Sequence, residues 1–193
     1  MNTAFLETYF RDYGAIAFDK SAWPKIAEFA ELAGNVGKSA GKLIFFGNGA
    51  SASLAEHAAL DFSKQGGVRA ITCHDAALMT AFANDFTYDR WMAEALNHFG
   101  DAPDAVVLIS VSGTSPSVVE AARTARDKGM VVVAFTGRDA DNPLGALADI
   151  HFHVPSDAYN LVECVHGIWL TAAIDYVIGA AVYETRMYEL DAD

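Results

Sequence analysis

Two groups of side chains in this sequence have the types and spacing that chemistry requires. His57 and Asp61 are four residues apart, so on a helix they share one face and present either an acid–base pair or two metal ligands. Four hydroxyl residues and a glycine crowd the segment ISVSGTSP at 109–116, whose proline suits the first turn of a helix. The free N–H groups and dipole of such a helix attract anions. One serine would suffice as an N-cap, so four hydroxyls predict a phosphate site.

A second glycine loop precedes the helix that carries His57. Residues 47–52, GNGASA, fit the G-x-G-x-x-A pattern of dinucleotide sites, and Asp75 follows the next predicted strand where a ribose-binding acid would stand. A nucleotide-binding oxidoreductase is therefore one alternative, although it rests on this loop alone. The other alternative is a shared phosphate site. Loops that leave parallel strands meet at one sheet edge, so Ser51 is expected to reach the same phosphate as the 110–115 loop.

The elements that position these loops follow from the hydrophobic pattern. Helical periodicity occurs at SLAEHAALDFSKQ, SPSVVEAARTARDKG and NPLGALAD. Between these segments lie short runs rich in β-branched and aromatic residues, typical of strands buried on both faces: KLIFFGN, VRAITC, DAVVLISV, MVVVAFTG and IHFHVP. The alternation predicts an α/β fold, with a five-stranded parallel sheet flanked by helices in a three-layer sandwich.

Helices are also predicted outside this alternating core. Residues 3–18 and 22–39 predict two helices before the first strand, and residues 159–184 predict a long helix after the last. The apolar residues of the first two helices exceed what one stripe on a small sheet requires. Residues 1–40 are therefore expected to mediate association between subunits.

Composition and charge narrow the classes of partner. The chain has 13 basic and 25 acidic residues, a net charge of −12, and no basic cluster, so nucleic acid is not an expected ligand. We predict no membrane span and no secretory signal, which leaves the cytoplasm as the expected location. No repeat or linker divides the sequence. Residues 1–193 are expected to form one domain, with residues 41–185 as its core and C-terminal helix.

Four segments, read in order, resemble a known family. GNGASASLAEH, NDF at 84–86, ISVSGTSPSVVEAARTARDKGMVVVAFTG and VPSDAYNLVECVHG are similar to the sugar isomerase (SIS) phosphosugar-binding domain, and most of all to the phosphoheptose isomerases. The resemblance covers roughly residues 5–185. It implies an aldose–ketose isomerase that converts sedoheptulose 7-phosphate into a heptose 7-phosphate through an enediolate. It also implies a homotetramer with pockets at the subunit boundaries.

The resemblance also implies roles for individual residues. Asp61 stands where the family has its catalytic Glu and is the expected base, with His57, His166 or water on a metal as the proton carrier. The implied substrate-binding residues, most of them phosphate or sugar-hydroxyl ligands, are Asn48, Gly49, Ser51, Asp85, Ser110, Ser112, Ser115 and Glu163.

The family's zinc ligands match this sequence only in part. They are a His and a Glu on the first helix and a Gln and a His on the last, where this sequence has His57, Asp61, Glu163 and Thr171. Thr171 replaces both a zinc ligand and the expected proton carrier. His166 lies about 140° around an ideal helix from Thr171, so it cannot take that place. Two alternatives stay open at this site: zinc held by His57, Asp61 and Glu163, or no metal. No nucleotide cofactor is expected.

A non-catalytic role is the second candidate for function. The same branch contains replication-initiator-associating proteins, which keep the phosphosugar fold and use their surface to engage another protein. Thr171 favours such a phosphosugar-binding or protein-binding module, whereas the acid at Asp61 favours an enzyme.

Overall fold

A five-stranded parallel sheet forms the centre of the protein, as the sequence predicts. The computed structural model describes residues 2–182. The strands pair in the order β2-β1-β3-β4-β5, and every pair is parallel. Their bounds are Leu43–Gly47 for β1, Ala70–Thr72 for β2, Ala105–Ser110 for β3, Val131–Gly137 for β4 and Ile150–Val154 for β5. Chain order reverses between β1 and β3, which opens a crevice at the carboxyl ends of these two strands.

Helices cover both faces of the sheet. One face carries α1 (Ala4–Ala17), α2 (Trp23–Lys38), α3 (Ala50–Lys64) and α8 (Tyr159–Ile178). The other face carries α4 (Ala76–Asp85), α5 (Trp91–Phe99), α6 (Pro116–Asp127) and the short α7 (Pro143–Leu147). A 3-10 turn at Lys20–Ala22 joins α1 to α2. The result is the predicted three-layer arrangement.

Alternation along the strands divides the core into two layers. Successive strand residues point to opposite faces, so Phe45 packs under α2 and α3 while Phe46 packs under α5 and α6. Both side chains are fully buried. Phe135 and Phe152, on β4 and β5, stack with their ring centroids 4.3 Å apart. This rigid sheet fixes the positions of the loops that leave β1 and β3.

Two features of the helices differ from the sequence prediction. α4 and α5 have no counterpart among the predicted helices. α8 ends at Ile178 rather than at 184, because Gly179 adopts a left-handed conformation with φ of 84°, which closes a helix. Residues 183 and 184 of the predicted helix lie outside the described residues.

α8 is long and apolar enough, by length and composition, to cross a membrane, with a mean hydropathy of 1.5. It packs instead against the sheet and against α2 and α3, with Val162, Val165 and Leu170 buried. Its apolar character is therefore that of a core helix.

Candidate active site

The two predicted phosphate loops meet at one cavity. Ser51, from the loop after β1, and the serines of the 110–115 loop, from the end of β3, line a space of about 150 Å³. The described residues around it are Asn48, Ser51, Ile109, Ser110, Val111, Ser112, Ser115, Tyr159 and Glu163. The cavity opens at the carboxyl edge of the sheet, where the order of the strands reverses.

Glycine gives the first loop its shape. A Cβ atom on Gly47 would lie 2.5 Å from the backbone of Ser51, so only glycine allows the chain to turn this tightly into α3. Gly49 caps α3 with φ of 59°, again a conformation suited to glycine. Ser51 is thereby held, nearly buried, in the first turn of α3, where the positive end of the helix dipole favours an anion.

The second loop gathers its hydroxyls around a positive-φ glycine. The hydroxyls of Ser110 and Ser115 lie 3.5 Å apart. The Ser112 oxygen accepts hydrogen bonds from the backbone N–H and the hydroxyl of Thr114, at 3.3 and 3.0 Å. Gly113 has φ of 64°. The loop therefore presents several hydroxyls and the N-terminus of α6 to one small volume, as anion binding requires.

Asn142 packs closely against Gly113 of the second loop. A Cβ atom on Gly113 would lie 2.1 Å from Asn142 Oδ1. The buried Asn142 amide donates to Thr136 Oγ1 at 3.2 Å and to the Asp139 carbonyl at 2.9 Å, and its oxygen accepts from Gly145 N at 2.8 Å. Asn142 is held close to Gly113 because every polar group of its side chain is hydrogen-bonded.

Asn48 is held at both ends of its amide. Its Nδ2 donates to Ser117 Oγ at 3.1 Å, and its Oδ1 accepts from the Tyr88 hydroxyl at 2.9 Å. One N–H and one acceptor position of the amide remain for a ligand. Tyr88 was not predicted as a site residue, although it lies two residues after the NDF segment at 84–86. Tyr159, which lines the cavity, was also missed.

Two acidic residues from the sequence analysis lie elsewhere. Asp85 is exposed at the end of α4, accepts from Asn84 Nδ2 at 2.9 Å, and is not among the residues around the cavity. Its predicted contact with the sugar stays a prediction. The carboxylate of Asp75 caps α4 by accepting from Ala77 N and Leu78 N, so it acts as a helix cap and not as the acid of a dinucleotide site.

His57 and Asp61 form a pair in a cleft beside the cavity. His57 Nε2 and Asp61 Oδ2 are 3.0 Å apart, and the His57 side chain is 64% exposed while that of Asp61 is 15% exposed. α8 forms the other wall of the cleft with Gly167, Leu170, Thr171 and Ile174. The enclosed space is only about 20 Å³, room for about one water molecule. His57 therefore faces outward over the groove between α3 and α8, while Asp61 lies deeper in the cleft.

The predicted zinc ligands do not come together within one chain. Glu163 lines the serine cavity, whereas Thr171 lies beside His57 and Asp61. Eight residues separate Glu163 from Thr171, about 12 Å along an α-helix. Zinc binds nitrogen and oxygen ligands at about 2 Å. Within residues 2–182, no three His, Cys, Asp or Glu side chains are grouped closely enough to hold a metal ion, so the donors of a single subunit do not fit zinc.

The position of His166 corrects its predicted role as a proton carrier. The residue is fully buried on the sheet side of α8. Its Nε2 lies 3.0 Å from the Thr136 carbonyl, while its Nδ1 has no hydrogen-bond partner among the described residues. Burial lowers the pKa of His166 to about 4, because the charged form loses its hydration. A ring with no exposed surface cannot contact a substrate.

Comparisons with known proteins agree with this geometry. Residues 9–137 match the family model described as the SIS domain. The phosphoheptose isomerase of Solidesulfovibrio magneticus is 37% identical over 158 residues, covering 77% of this chain and 76% of that protein. The phosphoheptose isomerase of Bordetella avium is 32% identical over 204 residues, covering 95% and 98%. The structure of a phosphoheptose isomerase from Neisseria gonorrhoeae superposes with a TM-score of 0.83 at 28% identity, covering 90% of this chain and 96% of that one. The chain belongs to the SIS domain family, in the branch of the phosphoheptose isomerases.

Proposed function

We propose that this protein is an aldose–ketose isomerase acting on a phosphorylated sugar, with sedoheptulose 7-phosphate as the substrate. One observation carries the proposal: Ser51 and the 110–115 loop line a single cavity of about 150 Å³, and the His57–Asp61 pair lies further along the same helix, α3. The names of the relatives, phosphoheptose isomerases, support the choice of substrate.

The serine cavity binds and orients the substrate. Hydroxyls of Ser51, Ser110, Ser112 and Ser115 donate to the phosphate oxygens, and the N-terminal ends of α3 and α6 supply N–H groups and a positive dipole. These local donors are needed because the net charge of −12 opposes an anion. The terminal phosphate fixes one end of an extended sugar. The other end then lies in the groove between α3 and α8, where proximity to the acid lowers the entropy cost of reaction.

Asp61 is the proposed base. It removes the proton from C1 of the ketose, and the electron pair forms the enediolate; returning the proton to C2 completes the aldose. The neighbouring His57 moves the second proton between the two sugar oxygens. If Nε2–H of His57 donates to Asp61 Oδ2, at 3.0 Å, Nδ1 is free as a proton acceptor. The proposed transfers use side chains of this chain alone.

Self-association is part of the proposal. The side chains of α1 and the following turn expose large apolar surfaces: Phe5 is 72% exposed, Phe10 66% and Phe18 69%. Apolar patches of this kind mark protein interfaces. We expect a tetramer in which a second subunit covers the exposed side of His57. Sedimentation of the purified protein measures this directly, and Phe10→Glu should shift it toward smaller species. The cytoplasm remains the expected location.

A non-catalytic phosphosugar-binding or protein-binding module is the second candidate. One observation favours it: the Thr171 hydroxyl shares its one hydrogen between the backbone carbonyls of Gly167 and Ile168, each at 3.0 Å, and it has no basic nitrogen with which to carry a substrate proton as a histidine would. Such a module would bind sedoheptulose 7-phosphate without converting it.

Turnover separates the two candidates. The purified protein is incubated with sedoheptulose 7-phosphate, with and without added zinc, and the aldose product is followed over time. The enzyme proposal predicts product in wild type at similar rates under both conditions, and none with Asp61→Asn. Measurable binding of the sugar without product under either condition would favour the module instead.

A further inference from the structure

Arg138 is a basic residue in an unusual backbone conformation close to the serine cavity. It directly follows β4 and therefore lies at the same carboxyl edge of the sheet as both serine loops. Its φ is 56°, in the left-handed region that a residue other than glycine, asparagine or aspartate rarely adopts. Strained residues of this kind persist where the surroundings hold them in place, and they cluster at functional sites.

The backbone around Arg138 is fixed from several sides. Arg138 N donates to the Ser156 carbonyl at 3.0 Å, and the Arg138 carbonyl lies 3.0 Å from His153 Nε2. The preceding Gly137 N donates to the carbonyl of Val111, within the serine loop, at 2.8 Å. Arg138 is therefore linked, through the residue before it, to the loop that forms the cavity.

The guanidinium group pairs with a residue that is close in the chain to the cavity wall. Arg138 Nε donates to Asp157 Oδ1 at 3.3 Å. Hydrogen bonding to Asp157, and the interaction with Tyr159, raise the pKa of Arg138. Tyr159 lines the serine cavity. The partner of Arg138 therefore lies two residues before a residue of the cavity wall.

Within the part of the chain that the structure describes, the lining of the cavity supplies no cation. The described residues around it include the carboxylate of Glu163 and no Lys, Arg or His. A sugar phosphate is an anion, and the chain as a whole carries a charge of −12. A guanidinium recognises phosphate through two parallel N–H bonds, which makes Arg the residue best suited to this task.

The present partner of Arg138 is easily exchanged. The side chain of Asp157 is 89% exposed and that of Arg138 is 45% exposed, so water screens the pair and it contributes little. We propose that Arg138 is a substrate-binding residue that leaves Asp157 and binds the phosphate of the sugar at the mouth of the cavity. This inference rests on the proposed phosphosugar function and adds to it the residue that selects for the phosphate.

A matched arginine provides the control. Arg126 also pairs with an aspartate, Asp149, at 3.3 Å and its side chain is 49% exposed, but it lies in the last turn of α6, at the opposite edge of the sheet. Arg138→Gln and Arg126→Gln change the net charge equally. Calorimetric titration with sedoheptulose 7-phosphate should give a Kd about 10-fold higher for Arg138→Gln, the effect of one lost charge-assisted hydrogen bond. Arg126→Gln should leave Kd unchanged.

Substitution of Asp157 should change Kd in the opposite direction. Asp157→Asn removes the competing carboxylate and should lower Kd, whereas Asp12→Asn, at another exposed Arg–Asp pair, should not. If the protein turns the sugar over, Arg138→Gln should raise KM and leave kcat unchanged, because the arginine holds the end of the sugar that does not react. A residue that merely supports the fold would not give this separation.

Three outcomes decide the proposal. Equal Kd values for Arg138→Gln and Arg126→Gln overturn it even if the wild type is an active isomerase. A selective loss of binding in Arg138→Gln supports it even if no turnover is found. If the wild type binds neither sedoheptulose 7-phosphate nor inorganic phosphate, both proposals fail. Should Arg138→Gln fold poorly, Arg138→Gly relieves the backbone strain and removes the same guanidinium.

Discussion

Gly113→Ala is expected to deform the serine loop and to destabilise the protein strongly. The left-handed backbone at φ 64° costs an alanine about 1 kcal/mol. The new Cβ would lie 2.1 Å from Asn142 Oδ1 and 2.4 Å from Asn142 Cγ, so the buried asparagine must leave its position. Its three hydrogen bonds, to Thr136, Asp139 and Gly145, contribute about 1 kcal/mol each. The expected total is about 4 kcal/mol.

A double-mutant cycle tests whether the clash with Asn142 is the cause. Asn142→Gly alone should cost about 3 kcal/mol, for the same three hydrogen bonds. In the double variant the clash is gone, so the total loss in the free energy of unfolding should be about 4 kcal/mol. The sum of the two single losses is about 7 kcal/mol. The coupling between the two positions is then about 3 kcal/mol.

Urea unfolding followed by circular dichroism measures each free energy of unfolding, at one protein concentration because association adds to it. Gly129→Ala is the control, since Gly129 has φ of 73° but nothing within 4 Å of its added Cβ. It should lose only about 1 kcal/mol. The reasoning is refuted if Gly113→Ala behaves like Gly129→Ala, or if the two substitutions at 113 and 142 are additive.

Three further predictions concern the groove and α8. Because burial lowers the pKa of His166 to about 4 from 6.5, its neutral form contributes stability above pH 6.5 that is lost as the pH falls toward 4. Over this range the free energy of unfolding should fall by about 3 kcal/mol. The prediction is contradicted if the free energy of unfolding depends on pH as steeply in His166→Gln as in wild type. Asp61→Asn should abolish turnover. The Kd for sedoheptulose 7-phosphate, measured by titration calorimetry, should change little, because the phosphate is held elsewhere. Turnover near the wild-type rate would exclude Asp61 as the base. Thr171→His places a third metal-ligand side chain in the cleft with His57 and Asp61, so this variant should bind zinc in a calorimetric titration. A variant that binds no more zinc than wild type would show that the cleft is not shaped for a metal.

The strands and the serine cavity could be predicted because their signals are local. Each predicted strand is a short apolar run bounded by Gly, Pro, Asp or Asn, and the runs from 42 to 48 and from 104 to 111 contain β1 and β3. Once two strands are parallel and adjacent, the loops at their carboxyl ends must be neighbours. The meeting of Ser51 with the 110–115 loop follows from that topology.

The two helices between β2 and β3 are missing from the sequence prediction. α5 carries an apolar stripe at Trp91, Met92, Ala95 and Leu96, so its periodicity was present in the sequence and was overlooked. α4 has only partly buried apolar residues packed against the core, which is a weaker signal. The role of Asp85, at the end of α4, was inferred from the family resemblance and not from the pattern of this helix.

The environment of His166 required the tertiary structure. α8 is apolar around most of its circumference, so the sequence does not indicate which side faces the sheet. The resemblance implied a site role for both Glu163 and His166, yet Glu163 lines the cavity while His166 is buried next to the Thr136 carbonyl. The same uncertainty affected the zinc ligands, which depend on how α8 lies along α3.

A crystal structure of the protein with sedoheptulose 7-phosphate tests the central claim most directly. The account predicts one phosphate within hydrogen-bond distance of Ser51 and of the serines of the 110–115 loop at once, with C1 and C2 of the sugar directed along the groove toward Asp61. A phosphate bound by only one of the two loops, or a sugar chain directed away from α3, would contradict it.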